Sequence, residues 1–236
     1  VVVDAEGQQV PYQITSDEKV IFPVTVQANG SAVYTIKVGI PQECPVKACG
    51  RYYPERVDDV AWENDLTAFR AYGPALQETG ERAFGYDIWT KYNTTEPVVE
   101  ARYEGELNPD MKAKIAELGK TDPKAAQELY RSVSYHVDHG NGLDCYKVGP
   151  TLGGGTTALM AGDTIIYPYC YATQEILDNG PLRFTVKLVY NPLVVKGDST
   201  IIETRIITLD AGSYCNKTVV SYTNLKETMP LAVGIV

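Results

Sequence analysis

The stretch from Tyr135 to Gly149, YHVDHGNGLDCYKVG, holds both histidines of the chain, His136 and His139. Asp138 and Asp144 lie beside them, with Tyr135, Tyr146 and Lys147. An imidazole titrates near neutral pH and a nearby carboxylate can orient its ring, so this set suits general acid–base chemistry. In such chemistry His139 or His136 takes a proton, Tyr146 returns one, and Lys147 holds an anionic group of the substrate. The H-x-x-H spacing with an intervening Asp also invites a metal reading. It matches no strict ligand signature, so no metal and no other cofactor is expected. The plain alternative is a solvated loop whose polar residues do no chemistry.

A second polar block, RYYPERVDDVAWENDLTAFRAYG, spans residues 51–73. Charges interleaved with large aromatics suit an oligosaccharide cleft: charged groups bond hydroxyls and acids, and flat rings stack on sugar faces. Arg56, Asp59, Trp62, Asp65, Arg70 and Tyr72 are therefore substrate-binding candidates, together with Lys147. A salt-bridged pair of surface strands would use the same residues. Glu63 and Asp138 are the carboxylates that a glycoside hydrolase would pair. The glycines at 153–155 lack the spacing of a phosphate loop and read as a tight turn into a strand. No G-x-S-x-G elbow exists, which disfavours a Ser/His/Asp hydrolase.

The elements that must position these residues are mostly strands. After Gly153 the runs DTIIYPYCYATQEIL, LRFTVKLVYNPL, STIIETRIITL and NKTVVSYTNL alternate apolar with polar residues and are separated by turn signals. GYDIWTKY is strand-like, and 58–73 reads as strand rather than helix. In the first forty residues, KVIFPVTVQA and SAVYTIKVG read as strands of a hairpin turning at Asn29-Gly30. The one helical region is about 108–135, where Asn108-Pro109 and Asp122-Pro123 are cap-plus-proline starts. The expected fold is mainly β: one antiparallel β-sandwich domain over residues 1–236 with a short inserted helical pair.

The 236 residues carry a formal charge of −9. No basic stripe interrupts that acidity, so nucleic acid is a poor partner. No run of about 18 apolar residues is present, so no membrane-spanning helix is expected. Tyrosines outnumber phenylalanines 17 to 4, which fits strands and also surfaces that meet sugars. Five cysteines leave one unpaired thiol at least, and Cys44 and Cys49 could close a short loop in an oxidising compartment. Both ends read as interior sequence, so the chain is expected to be a piece of a longer protein.

The blocks VPYQ, RYYPERVDDVAWENDLTAFRAYGPAL, GYDIWTKY, YHVDHGNGLDCYKVGPTLGGGTTAL, NGPLRFTVKLVY and ETRIITLDAGS occur in an order that resembles domain-of-unknown-function family 4861. The resemblance covers nearly the whole chain. It implies a β-supersandwich related to galactose mutarotase, export to the periplasm or beyond, and a polysaccharide-utilisation setting. It brings no settled catalytic residues. Four functions follow: β-elimination on acidic oligosaccharides by a lyase or dehydratase, glycoside hydrolysis, mutarotation or epimerisation, and carbohydrate binding without catalysis. The first is favoured, because a base, an acid and cations occur together in two blocks.

Overall fold

The computed structural model describes residues 1–236. Two five-stranded antiparallel sheets form the body. The first runs in chain order through β1 (Ala48–Tyr53), β2 (Asp59–Asn64), β3 (Thr67–Ala71), β4 (Asp87–Lys91) and β5 (Gly142–Asp144). Chain order and spatial order coincide because short turns join the first three strands. A three-stranded sheet contains β6 (Gly154–Ala161), β7 (Thr164–Ile166) and the last strand, β13 (Leu231–Ile235). The second large sheet contains β8 (Tyr171–Asn179), β9 (Arg183–Tyr190), β10 (Leu193–Val195), β11 (Asp198–Asp210) and β12 (Lys217–Thr223). The architecture is a mainly antiparallel β-sandwich.

Alternation along β2 and β3 makes the layers. Val60, Trp62 and Phe69 face the second large sheet and bury against Phe184, Val186, Leu188, Ile207 and Leu209. Trp62 is stacked between Phe69 and Phe184 at 5.9 and 6.2 Å. The other face of the first sheet, with Ala61, Ala68 and Trp89, packs under Val99, Tyr103 and Tyr135. Val99 and Tyr103 belong to α2 (Val99–Leu107), which follows α1 (Pro74–Glu78).

The expected helical pair is present as α3 (Pro109–Thr121) and α4 (Pro123–Val133). Asn108 accepts from the Met111 amide and Asp122 from the Ala125 amide, each at 3.0 Å, which satisfies first-turn donors. Helix α2 was not legible. Its first-turn amides at Val98 and Val99 donate to the Glu63 carboxylate at 2.9 Å, so its cap comes from a strand, not from its own sequence.

The N-terminal hairpin is corrected. Val20–Ile21 pairs with Gln13–Ile14, and Thr35–Ile36 pairs with Val2–Val3, so the two runs do not pair with each other. Asn29 does turn the chain, at φ 60°. Pro23 removes a ladder donor, and no layer covers the run: Val24, Val26 and Val33 stay exposed. All five cysteine thiols are free, Cys44 and Cys49 included.

Candidate functional site

The site grows from the face of the first sheet that α2 covers. Asp59 and Ala61 on β2, Arg70 on β3 and Asp87 on β4 point to that face. Register sets Arg70 directly opposite Ala61 on one side and Asp87 on the other, and Trp89 opposite Asp144. Residues directly opposite in a ladder share a face. Arg70 therefore donates to Asp87 Oδ2 and, at 2.7 Å, to Asp144 Oδ2. Its Nε lies 3.9 Å from Asp59 Oδ2. One guanidinium, only 2% exposed, thus serves three carboxylates. The rings of Trp89 and Tyr135 flank it at 5.2 and 5.5 Å.

The histidine loop is hung on the same frame. After α4 the chain buries Tyr135, whose ring stacks on Trp89 at 5.0 Å and whose amide donates to Glu106 at 2.9 Å. With Tyr135 anchored inside, His136 turns outward, its side chain 52% exposed. Its Nδ1 lies 3.1 Å from the Asp144 carbonyl oxygen and 3.5 Å from Asp144 Oδ2. Both neighbours are acceptors, so Nδ1 carries the hydrogen of the neutral ring and Nε2 is left as the bare base. Strand β5 comes this close because Gly142, at φ +104°, has no side chain. A Cβ there would stand 1.8 Å from the Thr90 carbonyl oxygen.

Between these parts opens a cleft of about 530 Å³. Among the sequence candidates, Arg56, Arg70, Tyr72, His136, Tyr146 and Lys147 line it. The two blocks, far apart in sequence, meet there. Arg56 donates from Nε to the Tyr135 hydroxyl at 3.1 Å and lies 3.6 Å from Asp59 Oδ2. The Tyr146 hydroxyl donates to the Val236 carbonyl.

Five candidates lie elsewhere. His139 uses Nε2 to hold the Ser134 carbonyl at 2.9 Å, which ties its own loop. Asp138 closes that loop by accepting from the Gly140 amide at 2.8 Å and from Tyr92. Glu63 is buried against Lys91, at 2.9 Å, and the start of α2. Trp62 is in the sandwich core, because its odd spacing from Asp59 puts it on the opposite face of β2. Asp65 sits at the β2–β3 turn and accepts from the Gly212 amide at 2.7 Å. Asp59 lies beneath the cleft with no exposed surface. Sequence reasoning missed Arg82, Asp87 and Cys145, and left Asp144 without a role. Arg82 and Cys145 carried no pattern signal; Asp87 was hidden in an ordinary strand run.

Burial dominates the electrostatics. It pushes the Asp59 carboxyl up to about 7, against the pull of Arg70 and Arg56. Burial also raises the Asp144 carboxyl above its ordinary value, again opposed by Arg70. Asp59 Oδ1 and Asp144 Oδ1 accept no hydrogen bond. Carboxylates perturbed by burial and a charged partner beside an open cleft make this cluster a candidate functional site. No three His, Cys, Asp or Glu side chains are grouped to hold a metal. A second cleft of about 500 Å³, between residues 9–14 and 41–45, is lined by neither a histidine nor a cation and offers less chemistry.

No solved structure matches the chain. A protein of Formosa agariphila called "Uncharacterized protein P7" is 29% identical over 182 residues. That match covers 74% of this chain but 40% of the relative, so the chain spans well under two thirds of that protein's length. The family model described as "Domain of unknown function (DUF4861)" matches residues 1–236. With every residue inside that match, the chain belongs to this family.

Proposed function

We propose that the protein is a carbohydrate-active enzyme acting on acidic, uronic-acid-containing oligosaccharides by β-elimination. The observation that carries this reading is the cleft. It presents the bare Nε2 of His136 among Arg56, Arg82 and Lys147, in a chain whose net charge is −9. An anionic sugar is drawn to the cationic cleft and away from the rest of the surface. A cation beside the sugar carboxylate spreads the charge that develops when the neighbouring proton leaves.

In this reading His136 Nε2 takes the proton on the carbon bearing the carboxylate. The electron pair becomes the new carbon–carbon double bond as the bond to the β-oxygen breaks. Tyr146 exchanges its bond to the Val236 carbonyl for the departing oxygen and donates its proton there. Asp144 holds the His136 ring through Nδ1. Hydrolysis by Glu63 and Asp138 is not proposed, since neither lines the cleft. An exported location and a polysaccharide-utilisation setting, which the family resemblance implies, belong to this proposal.

The test is ultraviolet absorbance of an unsaturated uronide when the protein meets pectic and alginate oligosaccharides. His136→Ala is expected to lose about 10²–10⁴-fold in rate, and His139→Ala to keep it. No absorbance with any uronate would overturn elimination. Chromatography of the products would then separate hydrolysis, epimerisation and binding alone.

A further inference from the structure

The cations of the cleft differ in how far they are already neutralised. Arg70 is spent on Asp87 and Asp144. Arg56 has one carboxylate neighbour, Asp59 at 3.6 Å, and burial holds that carboxyl up near neutrality, which weakens the pairing. Arg82 and Lys147 are exposed and make neither an ion pair nor a side-chain hydrogen bond. The carboxylates of the cleft lining are Asp144, committed to Arg70, and Glu81, which pairs with no cation. Setting Glu81 against one of Arg82 and Lys147 still leaves the other without a counter-charge, beside Arg56 with its weakened pairing to Asp59.

These three cations reach the cleft from separate pieces of chain. Arg56 comes from the single 3-10 turn Pro54–Arg56 before β2. Arg82 comes from the loop between α1 and β4, and Lys147 from the segment after β5. The Arg82 loop is pinned before the residue by the Gly80 amide, which donates to the Gln77 carbonyl at 3.0 Å. After it, the loop is pinned by Gln77, which donates to the Ala83 carbonyl at 3.0 Å, and by Gly85, where a Cβ would stand 2.1 Å from the Leu152 carbonyl. Arg82 is thus held at the cleft without being used by the fold.

We infer that the cleft takes a sugar with two anionic groups, and that Arg82 is the residue selecting for the second. This rests on the proposed acidic-sugar reading and narrows it. A single carboxylate is served by Arg56 and Lys147. A second anionic group on the adjoining sugar unit meets Arg82. A charge-assisted hydrogen bond to the second group adds affinity, and the analogue lacking that group leaves Arg82 to water.

The experiment is calorimetric titration of the protein with galacturonate, digalacturonate and a neutral disaccharide, cellobiose. Digalacturonate is expected to bind about tenfold tighter than galacturonate. Arg82→Gln should erase that advantage and leave the galacturonate affinity unchanged, and Arg82→Lys should restore most of it. Since Arg82 is exposed, its loss should leave the thermal midpoint unmoved. Equal binding of the mono- and diacid by the unaltered protein overturns the inference alone. So does Arg82→Gln weakening both by the same factor. Cellobiose binding as well as the acids, or neither acid binding at all, overturns the acidic-sugar reading and the inference with it.

Discussion

Two arginines are fully inside this protein, and they live differently. Arg205 on β11 is paired with Glu203 two residues away at 2.5 Å, and neither residue has any exposed surface. Tyr86 and Tyr190 flank the guanidinium, at 5.5 and 4.4 Å, and its Nη2 donates to the Thr157 carbonyl on the third sheet at 3.1 Å. One cation meets one carboxylate in a sealed compartment between sheets. Arg70 instead meets three carboxylates, and through Asp144 and His136 its cluster opens to a cleft. Burial raises the carboxyls of Asp59 and Asp144, the neighbouring Asp87 charge adds to the rise, and Arg70 opposes it. A balanced pair is sealed between the sheets; an unbalanced cluster lies open to a cleft.

The sealed pair gives the largest expected effect. Arg205→Met leaves the Glu203 carboxylate buried without a partner and should cost about 3–5 kcal/mol in urea unfolding. Adding Glu203→Leu should recover most of it, because a buried pair replaced by apolar groups is often neutral. If the double variant is no better than the single, the pair is a net stabiliser and the contrast with Arg70 weakens.

The open cluster should differ by being pH-sensitive. Asp59 has a folded-state value of about 7, above the ordinary carboxylate value of about 3.9. The folded state then binds more protons than the unfolded one between those values, so stability falls as pH rises from about 4 to about 7, by on the order of 3–4 kcal/mol. Asp59→Asn should flatten that slope in urea unfolding followed across pH. Asp144, whose carboxyl is raised in the same direction, adds to the slope. An unchanged slope in the variant would remove Asp59 from the account.

What could be read from sequence followed the range of the interactions. Helices α3 and α4 announce themselves because Asn108 and Asp122 cap amides three residues on. Helix α2 was silent because Glu63, 35 residues earlier on the strand beneath it, supplies its cap. The two chemistry-bearing blocks were legible as blocks, and His136, Arg56, Arg70, Tyr72, Tyr146 and Lys147 do meet at one cleft. Sorting within them was not, since alternation along β2 separates Asp59 from Trp62 only once it is known which sheet face is covered. Nor does spacing tell His136 from His139: the buried Tyr135 makes that choice by anchoring the chain one residue earlier.

The Glu63 cap ranks next. Its carboxylate accepts from the Val98 and Val99 amides and from Lys91 Nζ, all at 2.9 Å. Glu63→Gln keeps the shape and removes the charge, so it should cost about 2 kcal/mol. Circular dichroism with urea unfolding would measure it. A larger loss of activity than of stability would instead return Glu63 to the site.

The smallest effect isolates what makes a buried arginine count. Arg51 meets two carboxylates, Glu55 at 2.6 Å and Glu100 at 2.7 Å, one more than Arg205 meets. Its side chain is 39% exposed, so water already solvates all three charges and salt screens them. Arg51→Gln should therefore cost less than about 1 kcal/mol, and less still in high salt. Ranked by the number of carboxylate partners, Arg51 would outrank Arg205; ranked by burial, it falls far below. Urea unfolding of the two single variants at low and high salt decides between these rankings. A loss at Arg51 comparable to that at Arg205 would mean that carboxylate number governs, and the distinction between sealed and open clusters would lose its physical basis.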